Sequence, residues 1–112
     1  MIDSYDFGVV FIDGKRYTSD VIIYPDRVND GWWRKQGHQL GVDDLEDVLE
    51  SKPDTIVVGT GSPGLMVVLP ETEKLIKFKG IKLIVQPTKE ACKTYNELSP
   101  SQKVIALLHL TC

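Results

Sequence analysis

Thr55-Ile56-Val57-Val58-Gly59-Thr60-Gly61-Ser62-Pro63-Gly64 is the stretch on which the reading of the whole chain turns. The short apolar run Thr55 to Val58, bounded by Pro53 and Gly59, suits a central strand buried on both faces. A Gly/Pro turn follows it, then a second apolar run, Leu65 to Leu69, expected as a strand over 65–68. Residues 59–64 spell G-x-G-x-x-G, the fingerprint that lays a pyrophosphate on a helix N-terminus in dinucleotide folds. Their context argues against that use. Pro63 interrupts the loop, strand rather than helix follows, and Gly80 to Gln86 hold no acidic residue about twenty positions on, where a ribose partner belongs. No Lys-Ser/Thr pair follows the glycines as in a P-loop. The segment reads as a tight turn between strands, and no cofactor is expected. A weaker ligand or anion site made by its amides and the Thr60 and Ser62 hydroxyls is the alternative.

Downstream, Pro70 opens a helix to Lys79, closed by Gly80 at C′. Residues 81–86 are a further strand, and Thr88 caps a helix over 88–98 whose inner face is Ala91, Cys92, Tyr95 and Leu98. Ser99 to Gln102 suggest a helical turn. Periodicity alone does not separate strand from helix for Val104 to Leu110. Upstream, Asp43 and Glu46 form a capping box for a helix over 43–51, and Pro53 stops it. Residues 26–41 read as irregular. Before them, strands at 5–12 and 15–24 flank Asp13-Gly14, a type I′ hairpin signal. A hairpin followed by alternating helices and strands predicts an α/β domain over residues 1–112, with a central, largely parallel sheet that the hairpin covers or extends.

With 112 residues and a net charge of −3, the chain has no basic field for nucleic acid or anionic lipid, so neither is expected as a partner. Lys74, Lys77, Lys79 and Lys82 stand beside Glu71 and Glu73 and read as a solvated face. The longest apolar runs are too short to span a bilayer. Met1 to Asp6 lack a charged n-region and an apolar h-region, so a cytoplasmic location is expected, with Cys92 and Cys112 as reduced thiols.

His109-Leu110-Thr111-Cys112 places an imidazole and a thiol close together. Two ligands do not make a zinc site, and recruiting His38 and Cys92 would need four residues to converge although Cys92 sits on an apolar helix face, so no metal is expected. Activation of Cys112 by His109 would be opposed by the terminal carboxylate, which raises the thiol's pKa. Ser62, His109 and an aspartate do not follow the G-x-S-x-G pattern of a nucleophile elbow. No catalytic residue is assigned. If two parallel-strand ends face one side, however, Gly59, Thr60, Gly61, Ser62, His109 and Cys112 meet there as a ligand-binding or reactive pocket. Trp32-Trp33-Arg34-Lys35-Gln36-Gly37-His38 holds both tryptophans of the chain. One ring is expected in the core. Trp32, Trp33, Arg34 and His38 are the candidate partner-binding residues, since Trp and Arg dominate binding hot spots.

The chain resembles a small, uncharacterised α/β family that includes a mitochondrial respiratory complex I assembly factor and a vertebrate adipogenesis-associated protein. The resemblance runs from about Tyr5 to Cys112. It is carried by Trp33-Arg34 with Gly37-His38, Gly59-Thr60-Gly61, Pro70-Glu71, Gly80-Ile81, Thr88, Ala91, Tyr95-Asn96-Glu97-Leu98 and the closing His109-Leu110-Thr111-Cys112. Members often have Trp-x-Trp-Arg where this chain has Trp32-Trp33-Arg34, and Arg where it has Lys103. The resemblance implies a three-layer fold: a mixed central sheet with helices on one side, and the N-terminal β-hairpin as a further layer. It also turns residues 104–110 towards strand. The family has no settled enzymatic activity or catalytic residues, so the resemblance carries none over. The leading expectation is a non-enzymatic interaction or assembly module with a protein partner, itself monomeric or weakly self-associating.

Overall fold

A computed structural model of the protein describes every residue from Met1 to Cys112. Its first strands form a local meander. β1 (Ile2–Asp6) and β2 (Val9–Ile12) pair antiparallel, and β2 pairs antiparallel with β3 (Lys15–Tyr17). The second reversal is the expected one, with Asp13 at φ 49° and Gly14 at φ 81°. The first splits the strand expected over 5–12, because Gly8 adopts φ 79° and turns the chain at Phe7-Gly8, leaving the Phe7 ring exposed at the tip.

The strand expected over 15–24 is also two strands. After β3 the chain leaves the meander at Thr18–Asp20, and β4 (Val21–Ile23) enters the central sheet. β5 (Val28–Asn29) and β6 (Gln39–Leu40) then punctuate the segment read as irregular. The helix expected over 43–51 begins as a 3-10 turn, Val42–Leu45, before α1 (Glu46–Glu50). Its expected cap is displaced. The Asp44 carboxylate accepts from Gly41 N–H at 2.9 Å, while Asp43 turns outward to Lys35.

β7 (Thr55–Gly59) is buried throughout, as expected. β8 (Val67–Val68) lies within the second apolar run but leaves the central sheet to pair in parallel with β6. α2 (Pro70–Phe78), β9 (Lys82–Gln86), α3 (Thr88–Leu98) and β10 (Val104–Leu108) follow the sequence reading closely, and 104–108 is strand. The N-cap of α3 is Pro87 rather than Thr88, whose hydroxyl is committed elsewhere.

The central sheet has the order β5-β4-β10-β7-β9. β10 is parallel to β7, β7 is parallel to β9, and β4 and β5 are antiparallel additions. The sheet is therefore mixed, and its two faces follow from strand alternation. Val21, Ile23, Val57, Ala106 and Leu108 face the meander and α3, joined by Ile2, Val10, Ala91, Cys92 and Tyr95. Ile22, Ile56, Val58, Ile105 and Leu107 face the other way, onto Leu45, Val48 and Ile76 of the remaining helical segments. The three-layer, mixed-sheet expectation holds, with the helices divided between the faces: α3 shares one with the meander, and α1 and α2 cover the other. One face is too wide for the meander alone, and α3 fills what it leaves.

Besides this packing, one side chain hydrogen-bonds the meander to α3. Asn96 Oδ1 accepts from Ile2 N–H at 2.9 Å, and Asn96 Nδ2 donates to Ile2 O at 2.8 Å. Asn96→Ala removes the side-chain partners of both the N–H and the C=O of Ile2, which are half-buried, and should lower stability by about 1–3 kcal/mol. A shift of the urea midpoint at unchanged slope checks this.

Candidate functional site

Three parallel strands deliver their carboxyl ends to one edge of the sheet, where open α/β folds place their ligands. Gly59 ends β7, Gln86 ends β9 and Leu108 ends β10. The Gly59–Gly64 turn and the residues from His109 to Cys112 therefore meet. Ser62 N–H donates to Thr111 O at 2.9 Å and Leu65 N–H to Cys112 O at 3.0 Å. Thr88 Oγ1, at the first turn of α3, accepts from Gly61 N–H at 2.8 Å and donates to His109 O at 2.6 Å. Gly61 is fixed by this packing: at φ 103° a Cβ would lie 2.2 Å from Thr111 O. These backbone groups are thus spent on one another, and the turn presents no free cradle of amides.

β4 runs antiparallel to β10, so its leading residue, Asp20, reaches the same edge. There it gathers a buried knot. Asp20 Oδ2 lies 2.8 Å from His109 Nδ1 and 2.9 Å from an Arg34 terminal nitrogen, and Asp20 Oδ1 accepts from Leu110 N–H at 2.8 Å. Arg34 reaches back to its own loop, donating from Nε at 3.1 Å and from a terminal nitrogen at 2.7 Å to Gly37 O. Its guanidinium lies 4.5 Å from the centre of the Trp32 ring, within cation–π range. Burial alone would raise the Asp20 carboxyl. The hydrogen bonds from His109 and Leu110, with the positive charge around it, outweigh burial and hold the group below its ordinary value. His109 Nδ1 lies between the Asp20 carboxylate and an Arg34 terminal nitrogen 3.1 Å away, and Nε2 has no protein partner.

Three buried nitrogens on this run of contacting side chains have no protein partner: Trp32 Nε1, Arg34 Nη1 and His109 Nε2. Because Nε2 is unpartnered, the Ser62–His109–Asp arrangement does not assemble, although Asp20 stands in the aspartate's place. The His38 ring packs edge-on against His109, 5.7 Å between centres. His38, Cys92, His109 and Cys112 do not converge, and no group of three or more His, Cys, Asp or Glu residues forms a metal cage. Cys92 lies in the core under α3, where burial pushes its thiol up to about 12, and Cys112 is exposed.

The tryptophan segment divides sharply. Trp32 is buried and Trp33 is 76% exposed. Arg34, a candidate for the surface beside them, is only 8% exposed, because Asp20 and Gly37 draw it inward. It positions the loop rather than rimming a patch. His38 is at the surface. Trp33 instead shares a cleft of about 330 Å³ with Tyr24, Trp32 and Val48, rimmed by Asp43, Asp44, Glu46 and Asp47. Sequence reasoning missed Asp20 and this acidic rim. The signal for Asp20 was a charged residue interrupting an apolar run immediately before Val21-Ile22-Ile23.

Residues 2–109 match the model of a family described as a protein of unknown function (DUF498/DUF598). The chain belongs to that family. The fold is shared with a conserved hypothetical protein of Pyrococcus horikoshii, at 35% identity and a TM-score of 0.86, with 100% of this chain and 99% of that one covered. A protein of Xanthomonas campestris matches with 21% identity and a TM-score of 0.83, covering 98% of this chain and 83% of that one. A Mth938-like domain of Bordetella pertussis matches at 17% identity with a TM-score of 0.70, covering 98% and 85%. These two likenesses show a common fold alone. No helix of this family member is long and apolar enough to cross a membrane.

Asp20 is the testable centre of the knot. Asp20→Asn leaves Arg34 buried without its counter-charge and should cost about 3–5 kcal/mol in urea unfolding. Since the folded carboxyl lies below its unfolded value, its contribution is present above about pH 4. It is lost as pH falls through the lower folded value. Wild-type stability should therefore drop more steeply than that of Asp20→Asn in this acidic window, as thermal melts at stepped pH would read.

Proposed function

We propose that this protein is a non-enzymatic interaction module of the cytoplasm, monomeric or weakly self-associating, that holds a protein partner through the surface around Trp33. The observation that carries the reading is a large aromatic ring left 76% exposed on a segment whose neighbours on both sides are buried. An indole in water on a mobile loop would need no explanation. Trp33 stands instead between Trp32, stacked under the guanidinium, and Arg34, tied to Asp20, so its backbone is held from both sides. A rigid exposed aromatic loses little entropy on binding and is a favoured hot-spot residue. Arg34 supports the surface from beneath, and His38 borders the same loop. The likeness to a family that includes a complex I assembly factor points the same way.

A photo-crosslinking residue placed at position 33 in cells tests this, with one at Phe78, 87% exposed on α2, as control. A discrete adduct from position 33 and none from 78 is expected. Equal, diffuse adducts from both sites, or none from 33, would overturn the reading. Trp33→Ala should leave the melting temperature nearly unchanged.

One observation favours a second reading, a small-ligand or anion site or a cryptic enzyme at the strand ends. Arg34 Nη1 and His109 Nε2 are buried and unpartnered beside the Gly59–Ser62 turn and the His109–Cys112 segment. On this reading formate, acetate or phosphate at constant ionic strength raises the melting temperature in a saturable way. A flat response leaves the partner reading alone.

A further inference from the structure

The cleft beside Trp33 says what kind of partner it fits. Its floor is apolar and aromatic, from Tyr24, Trp32 and Val48, and the Trp33 indole stands at its side. Its rim carries Asp43, Asp44, Glu46 and Asp47 against Lys35 alone. With Lys35 the one cation among its lining residues and Arg27 over the neighbouring Tyr24 ring, the cleft keeps an excess of carboxylates.

The rim carboxylates are not equivalent. Asp44 is committed, accepting from Gly41 N–H at 2.9 Å and Lys35 N–H at 3.2 Å. Asp43 pairs with Lys35 Nζ at 2.8 Å, fully in solvent, where a competing cation can replace the lysine. Glu46 and Asp47, successive residues at the start of α1, carry no ion-pair partner. On the floor, Trp32 is 9% exposed and its Nε1–H is unpartnered. That nitrogen is shut off from solvent, so Trp32 serves the cleft as apolar lining. Cationic heads on aliphatic stems are what a Lys- or Arg-rich peptide segment brings to such a lining. Guanidinium stacking is already used nearby, since Arg27 Cζ lies 3.9 Å from the centre of the Tyr24 ring.

Building on the partner reading above, we infer that the segment seated beside Trp33 is basic, its cations facing Glu46 and Asp47 and stacking on the Trp33 indole. Opposite charge across the rim speeds encounter and rejects acidic competitors, while the aromatic floor supplies the contact area. A metal ion is not the occupant, since the carboxylates make no cage.

The chain has two tryptophans, so its two indole N–H resonances report directly on this cleft. The full chain would be titrated with a short Arg/Lys-rich peptide, with its Asp/Glu counterpart and with a Ser/Gly peptide of equal length. Saturable shifts of both indole signals are expected with the basic peptide only. The affinity should weaken about tenfold or more as salt shortens the Debye length from about 30 Å to about 8 Å. Glu46→Gln with Asp47→Asn, both exposed, should keep the melting temperature and lose about tenfold in affinity. Trp33→Ala should remove saturable binding while the Trp32 signal stays in its folded position. Equal shifts from the acidic or neutral peptide, indifference to the paired substitution, or no saturable shift would each overturn the inference. An adduct from position 33 in cells, together with failure of these titrations, would keep the partner reading and discard the basic occupant. Success of the titrations without an adduct would do the reverse.

Discussion

One carboxylate closes this structure. Asp20 accepts from the Leu110 amide and the His109 ring just after β10, and from Arg34, so it joins three distant parts of the chain, its own included. An ionised group that is largely buried is tolerated only when it is paired and hydrogen-bonded on all sides, and this one is. Its lowered pKa is the same fact seen from the proton's side. Asp20 pins the point at which the chain leaves the meander for β4, and it is the counter-charge of the buried Arg34, which Gly37 O and the Trp32 ring also hold beside Trp33. The knot thus links the topology of the sheet to the presentation of one aromatic side chain.

What was legible in the sequence was whatever a local rule controls. β7 and the turn after it, α2 with Pro70 and Gly80 at its ends, α3, and the Asp13-Gly14 hairpin follow from periodicity, caps and turn chemistry. The errors share a cause, which is that a distant partner outvoted the local rule. Residues 15–24 look like one strand because Lys15–Tyr17 and Val21–Ile23 are both extended, and only Asp20's distant partners show why the chain breaks between them. Val67–Val68 is apolar enough for the central sheet but is claimed by Gln39–Leu40. Asp43 and Glu46 have the spacing of a capping box, yet Asp44 is nearer to the amides that need an acceptor.

The candidate site was half legible for the same reason. That the Gly59 turn and the His109–Cys112 segment would meet follows from parallel strand ends, and they do. That their polar groups would be used up on each other does not follow from residue types. Trp32-Trp33-Arg34 could be recognised as unusual. Which ring would be buried, and whether Arg34 would face solvent or core, depended on Asp20, fourteen and eighty-nine residues from the Arg34 and His109 it joins. The acidic rim was invisible because Asp43 to Asp47 read as the start of a helix, and only folding sets them across from Trp33.

The position of β10 has a kinetic meaning. β4 and β7, its neighbours on either side, share no hydrogen bonds with each other, and β10 comes later in the chain than both. Until residues 104–108 arrive, the central sheet is two fragments with open edges. β10 also serves both cores, Ala106 and Leu108 filling one and Ile105 and Leu107 the other. Neither core can therefore mature ahead of its neighbour. Such long-range closure favours slow, all-or-none folding. A chain still emerging from the ribosome would hold two exposed strand edges, ready templates for the wrong pairing, until its last strand slides between them.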